Sequence, residues 1–315
     1  MIYSNRPVIA GLILSFLLLV IQVGYTKDAF LVKKEKEIRH SVFIAGPQFT
    51  GIIGENGEVT WDSGKPRARD GYVLPNGHVL ICWADEVLEF DQSKKVVFSF
   101  KRRGPKNELG TAVRLEDGNT LITESGDQPE LLEVDASGKI VLAVPLQPET
   151  DNIHMQTRMA RKLDNGNYLV PHLLAFKVKE YTPAGEVVNE ILTDREELGG
   201  RAAENWPFTA IKLKNGNVLI NLTHGNKTIE VNKQGEIVWK LSNDDFKENL
   251  LQDPCGAQRL PNGNTVIASY AAKEGVKLFE VTRKKEVVWT YEGFRVHHFQ
   301  ILTTNGKPLK GVPMK

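Results

Sequence analysis

Short apolar runs alternate along the chain with Asn-Gly or Asp-Gly pairs. A clear copy is Arg259-Leu-Pro-Asn-Gly-Asn-Thr-Val-Ile-Ala268, in which Asn262-Gly263 separates Leu260 from a β-branched run. Because an Asn-Gly pair readily adopts the positive φ angles of a type I′ turn, this pattern predicts a β-hairpin. Equivalent turns lie at Asn76-Gly77, Asp117-Gly118, Asn165-Gly166, Asn215-Gly216 and Asn305-Gly306. Their spacing of roughly 40 to 50 residues indicates a repeat fold.

Each copy has a second half with its own pattern. A strand of the form apolar-Glu-apolar follows the hairpin, as in Leu88-Glu89-Phe90 and Ile229-Glu230-Val231. An outer apolar strand follows after a further turn, as in Ile237-Val238-Trp239. Four short strands per repeat are typical of a propeller blade. The repeat therefore predicts an all-β fold, a β-propeller of four-stranded antiparallel blades.

The two ends of the chain predict how the ring closes. The last turn, Asn305-Gly306, has a strand before it at 298–303 but little chain after it, while 41–63 contains outer strands with no preceding hairpin. We therefore expect a six-bladed propeller that occupies 40–315 as a single domain. Its closing blade takes the innermost strand from the C-terminal segment and the other three from the N-terminal segment, which leaves no free edge in the ring.

Residues 1–26 lie outside the predicted propeller. Arg6 precedes an apolar run at 8–23, and Gly24 and Thr26 are small or short residues suited to a cleavage site. The pattern predicts an export signal, with a retained membrane anchor at 8–24 as the alternative. Residues 27–39 are charged and aperiodic, as is typical of a solvated linker. Both alternatives predict a periplasmic or extracellular propeller that meets a membrane only through an uncleaved anchor.

Composition narrows the range of partners and metals. The formal net charge is +1 and no long basic run is present, which argues against a nucleic-acid partner. Cys82 and Cys255 fall in blades that are not adjacent, so we expect two buried thiols and no disulfide. The sequence contains no Cys-x-x-Cys, His-Glu-x-x-His or EF-hand pattern, and it therefore predicts no metal site.

Repetition separates structural residues from candidate functional residues. Residues that recur in register are predicted to build the blades, namely Glu89, Glu133, Glu180, Glu230, Glu280, Trp61, Trp239 and Trp289. One face of the ring, the turn face, carries the short and uniform hairpin turns. The opposite face, the loop face, carries long connections that all differ, at 63–70, 101–110, 147–158, 193–208, 243–256 and 292–298. Variable loops on a rigid scaffold usually build the binding site, so we expect the site on the loop face.

Residues that occur once, near the points where the chain enters the central channel, are the candidates. The predicted ligand-binding residues are Arg69, Arg158, Trp206, His224 and Arg295, and the candidate catalytic residues are His154, His297 and His298. Guanidinium groups suit carboxylate, sulfate or phosphate and an indole suits stacking, so the set predicts a small anionic or sugar-like ligand. A protein partner at the loop face is the alternative. Each side chain also has a structural interpretation, because loop arginines and histidines are commonly surface hydrogen-bonding residues.

The repeated phrases resemble those of a known superfamily. The segments 115–122 (Leu-Glu-Asp-Gly-Asn-Thr-Leu-Ile), 132–135 (Leu-Glu-Val-Asp) and 235–239 (Gly-Glu-Ile-Val-Trp) are similar to PQQ-like and arylsulfotransferase-like β-propeller repeats. For an arylsulfotransferase, the resemblance implies a histidine nucleophile in the channel mouth, for which His154, His297 and His298 are the counterparts. Quinoproteins of the superfamily have a larger ring, a calcium site and often neighbouring cysteines. This sequence departs from that pattern, so neither PQQ nor calcium is expected as a cofactor.

Two functions from different classes remain open. The first is an exported, non-catalytic propeller that binds a ligand or partner at its loop face and channel mouth, because no acid-base-nucleophile set is evident. The second is an arylsulfotransferase-like group-transfer enzyme or a hydrolase. In it, His298 or His154 is the nucleophile or base, and Arg69 or Arg295 stabilises the anion. Two or more of these side chains within hydrogen-bond distance would favour the enzyme, whereas side chains scattered over the rim would favour binding.

Overall fold

Each predicted repeat forms its own antiparallel sheet in the computed structural model, which describes residues 37–309. The six sheets form a ring, so the predicted six-bladed β-propeller is confirmed. The export signal predicted at 1–26 and most of the linker predicted at 27–39 lie outside the described residues. Within the described residues, no helix is long and apolar enough to cross a membrane.

The strands follow the hairpin pattern along the chain. The closing blade begins with β1 (His40–Ala45), β2 (Thr50–Ile53) and β3 (Val59–Asp62). Blade 1 contains β4 (Asp70–Val73), β5 (Val79–Cys82), β6 (Glu86–Phe90) and β7 (Val96–Lys101). Blade 2 contains β8 (Glu108–Arg114), β9 (Thr120–Ser125), β10 (Glu130–Val134) and β11 (Ile140–Pro145). Blade 3 contains β12 (Arg161–Lys162), β13 (Tyr168–His172), β14 (Lys177–Tyr181) and β15 (Val187–Leu192).

The second half of the ring continues in the same order. Blade 4 contains β16 (Asn205–Lys212), β17 (Val218–His224), β18 (Lys227–Val231) and β19 (Ile237–Ser242). Blade 5 contains β20 (Pro254–Arg259), β21 (Thr265–Ser269), β22 (Leu278–Val281) and β23 (Val287–Tyr291). The chain then returns to the closing blade with β24 (His298–Thr304) and β25 (Lys307–Pro308). Short 3-10 helices lie in the long loops, at Ile153–Met155, Glu196–Leu198, Arg201–Ala203 and Asn243–Asp245.

The closing blade joins the two ends of the described chain. Its strand order is β25-β24-β1-β2-β3, and Ile44 of β1 lies opposite Phe299 of β24. The predicted sharing is therefore confirmed, because the C-terminal segment supplies the strand next to the channel and the N-terminal segment supplies the three outer strands. The sequence did not predict the two-residue strand β25.

Side chains join the innermost strands of neighbouring blades around the channel. In each pair a side chain accepts a hydrogen bond from a backbone N–H of the next blade: Gln258 and Ile301, Gln300 and Val73, Asp70 and Ala112, Thr111 and Ala160. These bonds satisfy donors that the edge of each inner strand would otherwise leave unpaired. The inner ring is thereby fixed, and with it the strand ends at the channel mouth.

On the turn face, two of the recurring glutamates, Glu230 and Glu280, join the hairpin turn of their own blade to the next blade. Glu280 is buried and accepts hydrogen bonds from Asn264 Nδ2 at 2.6 Å and from His40 Nε2 at 2.8 Å. Glu230 is also buried and accepts from Asn217 Nδ2 at 2.7 Å and from Arg259 Nη2 at 2.8 Å. The structural role predicted for these carboxylates is confirmed. The prediction of two unpaired thiols is confirmed as well, since both cysteines are free and buried.

Candidate functional site

A cavity of about 590 Å³ opens on the loop face at the channel mouth. The loops that lead into the innermost strands meet there, so most blades contribute to its wall. Its charged, imidazole and aromatic lining residues are Arg67, Arg69, Arg158, Asp253, His154, His224, His297, Trp206, Phe208 and Tyr270. Such a cavity, with an apolar wall and a few polar groups, has the size and the composition of a small-molecule site.

Six of the eight predicted site residues line this cavity, namely Arg69, Arg158, Trp206, His224, His154 and His297. Arg295 lies behind the wall, where its Nε donates to the Tyr270 carbonyl at 3.0 Å and its guanidinium stacks on the Tyr270 ring at 4.8 Å. The indole of Trp206 meets the His224 ring edge-on, with 4.4 Å between ring centroids. The functional roles of these side chains stay predictions, but the structure brings six of them to one place.

Arg158 is a buried charge without a partner of opposite sign. The residue is 3% exposed; its Nη1 donates to the Thr157 carbonyl at 2.6 Å and its Nη2 to the His154 carbonyl. No carboxylate in residues 37–309 forms an ion pair with it. Burial, and the positive charge of Arg69, lower the pKa of Arg158 to about 10. The guanidinium therefore stays charged at neutral pH, and buried charges are normally paired.

Arg69 differs from Arg158 because its charge is neutralised. Glu108 Oε2 lies 2.7 Å from Arg69 Nη2 and 2.9 Å from His154 Nδ1. The hydrogen bond from His154 and the charge of Arg69 lower the pKa of Glu108 to about 2. Glu108 is thus ionised at neutral pH and neutralises Arg69 on this side of the mouth. The charge of Glu108 also acts on Arg158, but no carboxylate in residues 37–309 forms an ion pair with that guanidinium.

His297 presents a neutral imidazole to the cavity. Its Nδ1 lies 2.8 Å from the Arg69 carbonyl oxygen, which can only accept, so Nδ1 carries the proton and Nε2 carries the lone pair. The ring stands edge-on to Phe208 at 4.9 Å and to Tyr270 at 5.2 Å. Burial in this wall, together with the charge of Arg158, lowers the pKa of His297 to about 3. No described residue forms a hydrogen bond with Nε2.

His298 points away from the cavity, as strand alternation requires of the residue after His297. It is fully buried, and its Nε2 lies 3.3 Å from Asp70 Oδ1. Burial lowers the pKa of His298 well below its ordinary value and raises the pKa of Asp70 to about 6. Tyr72 packs against the imidazole with ring centroids 5.1 Å apart. Of the three candidate catalytic histidines, His298 is the one that does not line the cavity.

Part of the cavity wall is built on strained backbone. Arg67, His224 and Asp253 all line the cavity and have φ angles of 68°, 62° and 48°, in the left-handed region that disfavours residues other than glycine. The strained turns are held by hydrogen bonds, such as that from the His224 N–H to Asp253 Oδ1 at 3.0 Å. Such conformations cost of order 1 kcal/mol or more each and cluster at functional sites.

The candidate list left out several wall residues. Thr223 and Tyr270 lie at the loop-face end of a strand or directly after one, and Phe208 lies at the bulge of β16 between Pro207 and Thr209. Nearness to the loop-face end of a strand was the signal that could have identified Thr223 and Tyr270. Phe, Thr and Tyr are also common inside strands, so their residue types gave no chemical reason to select them as site residues. Within the part of the chain that the structure describes, no group of three His, Cys, Asp or Glu side chains could hold a metal ion.

Comparisons with known proteins agree with the propeller. A protein of unknown function from Bacteroides caccae matches with a TM-score of 0.72 and 19% identity over 87% of this chain and 100% of that chain. Virginiamycin B lyase from Staphylococcus aureus matches with a TM-score of 0.53 and 12% identity over 71% of this chain and 69% of that chain. A catalytically inactive form of that lyase with quinupristin matches with a TM-score of 0.57 and 11% identity over 82% of this chain and 85% of that chain. At these identities the likenesses show the fold alone.

Sequence comparison gives the family. No curated protein matches the chain significantly. The model of the family described as Mal s 1 allergenic protein-like matches residues 47–250. The matches support a β-propeller and do not reach the PQQ-like or arylsulfotransferase-like assignment that the repeats suggested. Because the matched segment is more than half of the chain, this protein belongs to the Mal s 1 allergenic protein-like family.

Proposed function

We propose that this protein is a ligand-binding propeller that takes a small organic anion into the cavity on its loop face. The observation that carries the proposal is Arg158, a guanidinium 3% exposed in the cavity wall and without a carboxylate partner among residues 37–309. Water has limited access to this charge, and protein carbonyls occupy only two of its nitrogens. A ligand carboxylate or sulfate would complete its coordination.

The cavity wall supports an organic ligand in preference to a bare inorganic ion. Phe208, Leu173 and Tyr270 give it apolar surface, and its volume of about 590 Å³ exceeds what a single sulfate needs. The charged head would meet Arg158 while the apolar body lies against these side chains. Hydrogen bonds to a charged group contribute about 1.5–3 kcal/mol each, so most of the discrimination would come from the head.

The low pKa of His297 supports binding without catalysis. A general base works best when its pKa is near the working pH, and that of His297 is about 3. His154 is tied to Glu108 at 2.9 Å. We therefore keep the non-catalytic function as the proposal. Export of the propeller by the segment 1–26 remains part of it, as a prediction from the sequence.

The experiment for this proposal compares matched ligands on the full chain by titration calorimetry. Phenylpropanoate, phenylpropanol and inorganic sulfate separate the charged head from the apolar body. We expect phenylpropanoate to bind at least about tenfold more tightly than the alcohol. The variant Arg158→Gln should remove this difference. The proposal fails if the alcohol binds as well as the acid, or if Arg158→Gln binds both like the wild type.

The control variant is Arg201→Gln. Arg201 lies in a long connection of the same face, but it is exposed and its Nη1 is paired with Asp194 Oδ2 at 3.0 Å. The substitution removes the same charge from the loop face without touching the cavity. Unchanged phenylpropanoate binding in this variant would separate a specific role of Arg158 from a general effect of surface charge.

An arylsulfotransferase-like enzyme is the second candidate, and His297 is the observation that favours it. Its proton-free Nε2 has no hydrogen-bond partner among the described residues and belongs to a cavity-lining ring. In that reaction Nε2 would form a bond to sulfur while the bond from sulfur to the aryl oxygen breaks and a phenolate leaves. Incubation with nitrophenyl sulfate tests it. Nitrophenolate release with a sulfuryl adduct on His297 would establish the enzyme, and the absence of both would exclude this chemistry.

A further inference from the structure

Besides the exposed Arg67, the cavity contains a charge without an ion pair whose sign is opposite to that of Arg158. Asp253 lines the cavity and is half-buried. Its Oδ1 accepts a hydrogen bond from the backbone N–H of His224 at 3.0 Å. No Lys, Arg or His side chain within residues 37–309 forms an ion pair with this carboxylate.

Arg158 and Asp253 share one cavity but do not pair with each other. Arg158 precedes the first strand of blade 3 and Asp253 precedes that of blade 5, with the whole of blade 4 between them in the ring. Each is held in its own place. The guanidinium is fixed by the carbonyls of Thr157 and His154, and the carboxylate belongs to a residue with φ of 48°.

Two fixed charges of opposite sign in one apolar-walled cavity are complementary to a ligand that carries both charges. An unpaired, partly desolvated charge costs free energy on either side of the cavity. A ligand with one anionic and one cationic group satisfies both at once, whereas a simple anion would leave Asp253 unpaired. From this juxtaposition we infer that the ligand is a zwitterionic amino acid with an apolar side chain. This inference rests on the proposed function of the cavity.

The acceptor nitrogen of His297 favours a primary ammonium as the cationic group. Its Nδ1–H is committed to the Arg69 carbonyl at 2.8 Å, so its Nε2 is a hydrogen-bond acceptor. A primary ammonium has three N–H donors and can serve both Asp253 and this nitrogen. A quaternary ammonium has no N–H and would leave the imidazole unsatisfied. Phe208 and Tyr270, which flank His297, then meet the apolar side chain of the ligand.

The test uses three probes of nearly identical shape on the full chain in titration calorimetry. Phenylalanine carries both charges, phenylpropanoate lacks the ammonium and phenethylamine lacks the carboxylate. We expect phenylalanine to bind at least about tenfold more tightly than either of the others. The variant Asp253→Asn should bind phenylalanine only as tightly as it binds phenylpropanoate. Asparagine keeps the acceptor for the His224 N–H and tolerates positive φ, so the loop should stay intact.

The outcomes separate this inference from the function on which it rests. If phenylpropanoate binds as tightly as phenylalanine, or if Asp253→Asn leaves the preference unchanged, the zwitterion inference is wrong and anion binding at Arg158 survives. If none of the three probes binds, both are wrong. Asp194→Asn is the matched control. It removes a loop-face carboxylate that is already paired with Arg201 at 3.0 Å, and it should leave the preference for phenylalanine intact.

Discussion

On the turn face, Glu230 and Glu280 have partners in their own blade and in the next blade, whereas on the loop face Arg158 and Asp253 have no charged partner among residues 37–309. The same six sheets produce both faces. On the turn face, Glu230 and Glu280 share one arrangement of turn amide, glutamate and a partner from the next blade. The cavity on the loop face is assembled from side chains that do not repeat, several of them on strained backbone.

This difference shows where the fold needs its polar groups and where it does not. A carboxylate that bonds the next blade stabilises the ring, and Glu89, Glu133, Glu230 and Glu280 each do so. A desolvated charge without a partner lowers stability, and natural proteins keep such groups mainly where a ligand completes them. The two faces should therefore respond in opposite ways to substitution, pH and ligands.

The largest expected effect is acid destabilisation through buried histidines on the loop-face side. The pKa values of His172 and His297 are lowered to about 3, and that of His298 well below its ordinary value, mainly by burial. Because the folded pKa is depressed, this contribution is fully present above pH 6.5 and is lost as pH falls toward 3. Asp70, with its pKa raised to about 6, acts in the opposite direction between pH 6 and its unfolded value. The net loss should amount to several kcal/mol by pH 5.

Urea denaturation at a series of pH values measures this loss. The variant His297→Asn keeps an N–H donor for the Arg69 carbonyl but does not titrate in this range. We expect its unfolding free energy to fall less steeply below pH 6.5. The slope should correspond to the uptake of about one proton fewer on unfolding. An identical slope in variant and wild type would mean that His297 is not neutral in the folded protein.

The next effect is on the turn face, where Glu230→Ala should lower the free energy of unfolding by about 3 kcal/mol. The carboxylate is 1% exposed, and its removal leaves Arg259 and Arg283 without their shared partner. Glu180→Ala is the matched comparison, because Glu180 is half-buried and bonds only the amides of Asn165 and Asn167. Its cost should be nearer 1 kcal/mol. An equal loss of unfolding free energy in the two variants would contradict the role of Glu230 in joining neighbouring blades.

The smallest expected effect is that of a reducing agent. Cys82 and Cys255 are free, and burial raises the pKa of each thiol well above its ordinary value. Dithiothreitol should therefore leave the melting temperature unchanged, although both residues lie near the channel mouth. A lower melting temperature under reducing conditions would indicate a disulfide and would revise the packing beside Arg158.

The sequence carried nearly all of the fold because the fold is periodic. The turn pairs predicted the number of blades. The unequal end segments, 41–63 and 298–303, predicted that the closing blade is shared between the two ends of the ring. The site was harder, since its chemistry depends on contacts between blades. Sequence reasoning selected both Arg69 and Arg158 as loop arginines, but only the structure shows that Glu108 forms an ion pair with the first and not with the second. It also selected His297 and His298 together, and alternation alone could not say which faces the cavity.

The most direct test of the central claim compares two arginines, one from each face, in a single set of measurements. Phenylpropanoate affinity and urea stability would be measured for the full chain, for Arg158→Gln and for Arg259→Gln. We predict that Arg158→Gln loses at least about tenfold in affinity but keeps its stability within about 1 kcal/mol, while Arg259→Gln loses stability and keeps its affinity. Loss of both properties in Arg158→Gln, or affinity unchanged by it, would contradict the account.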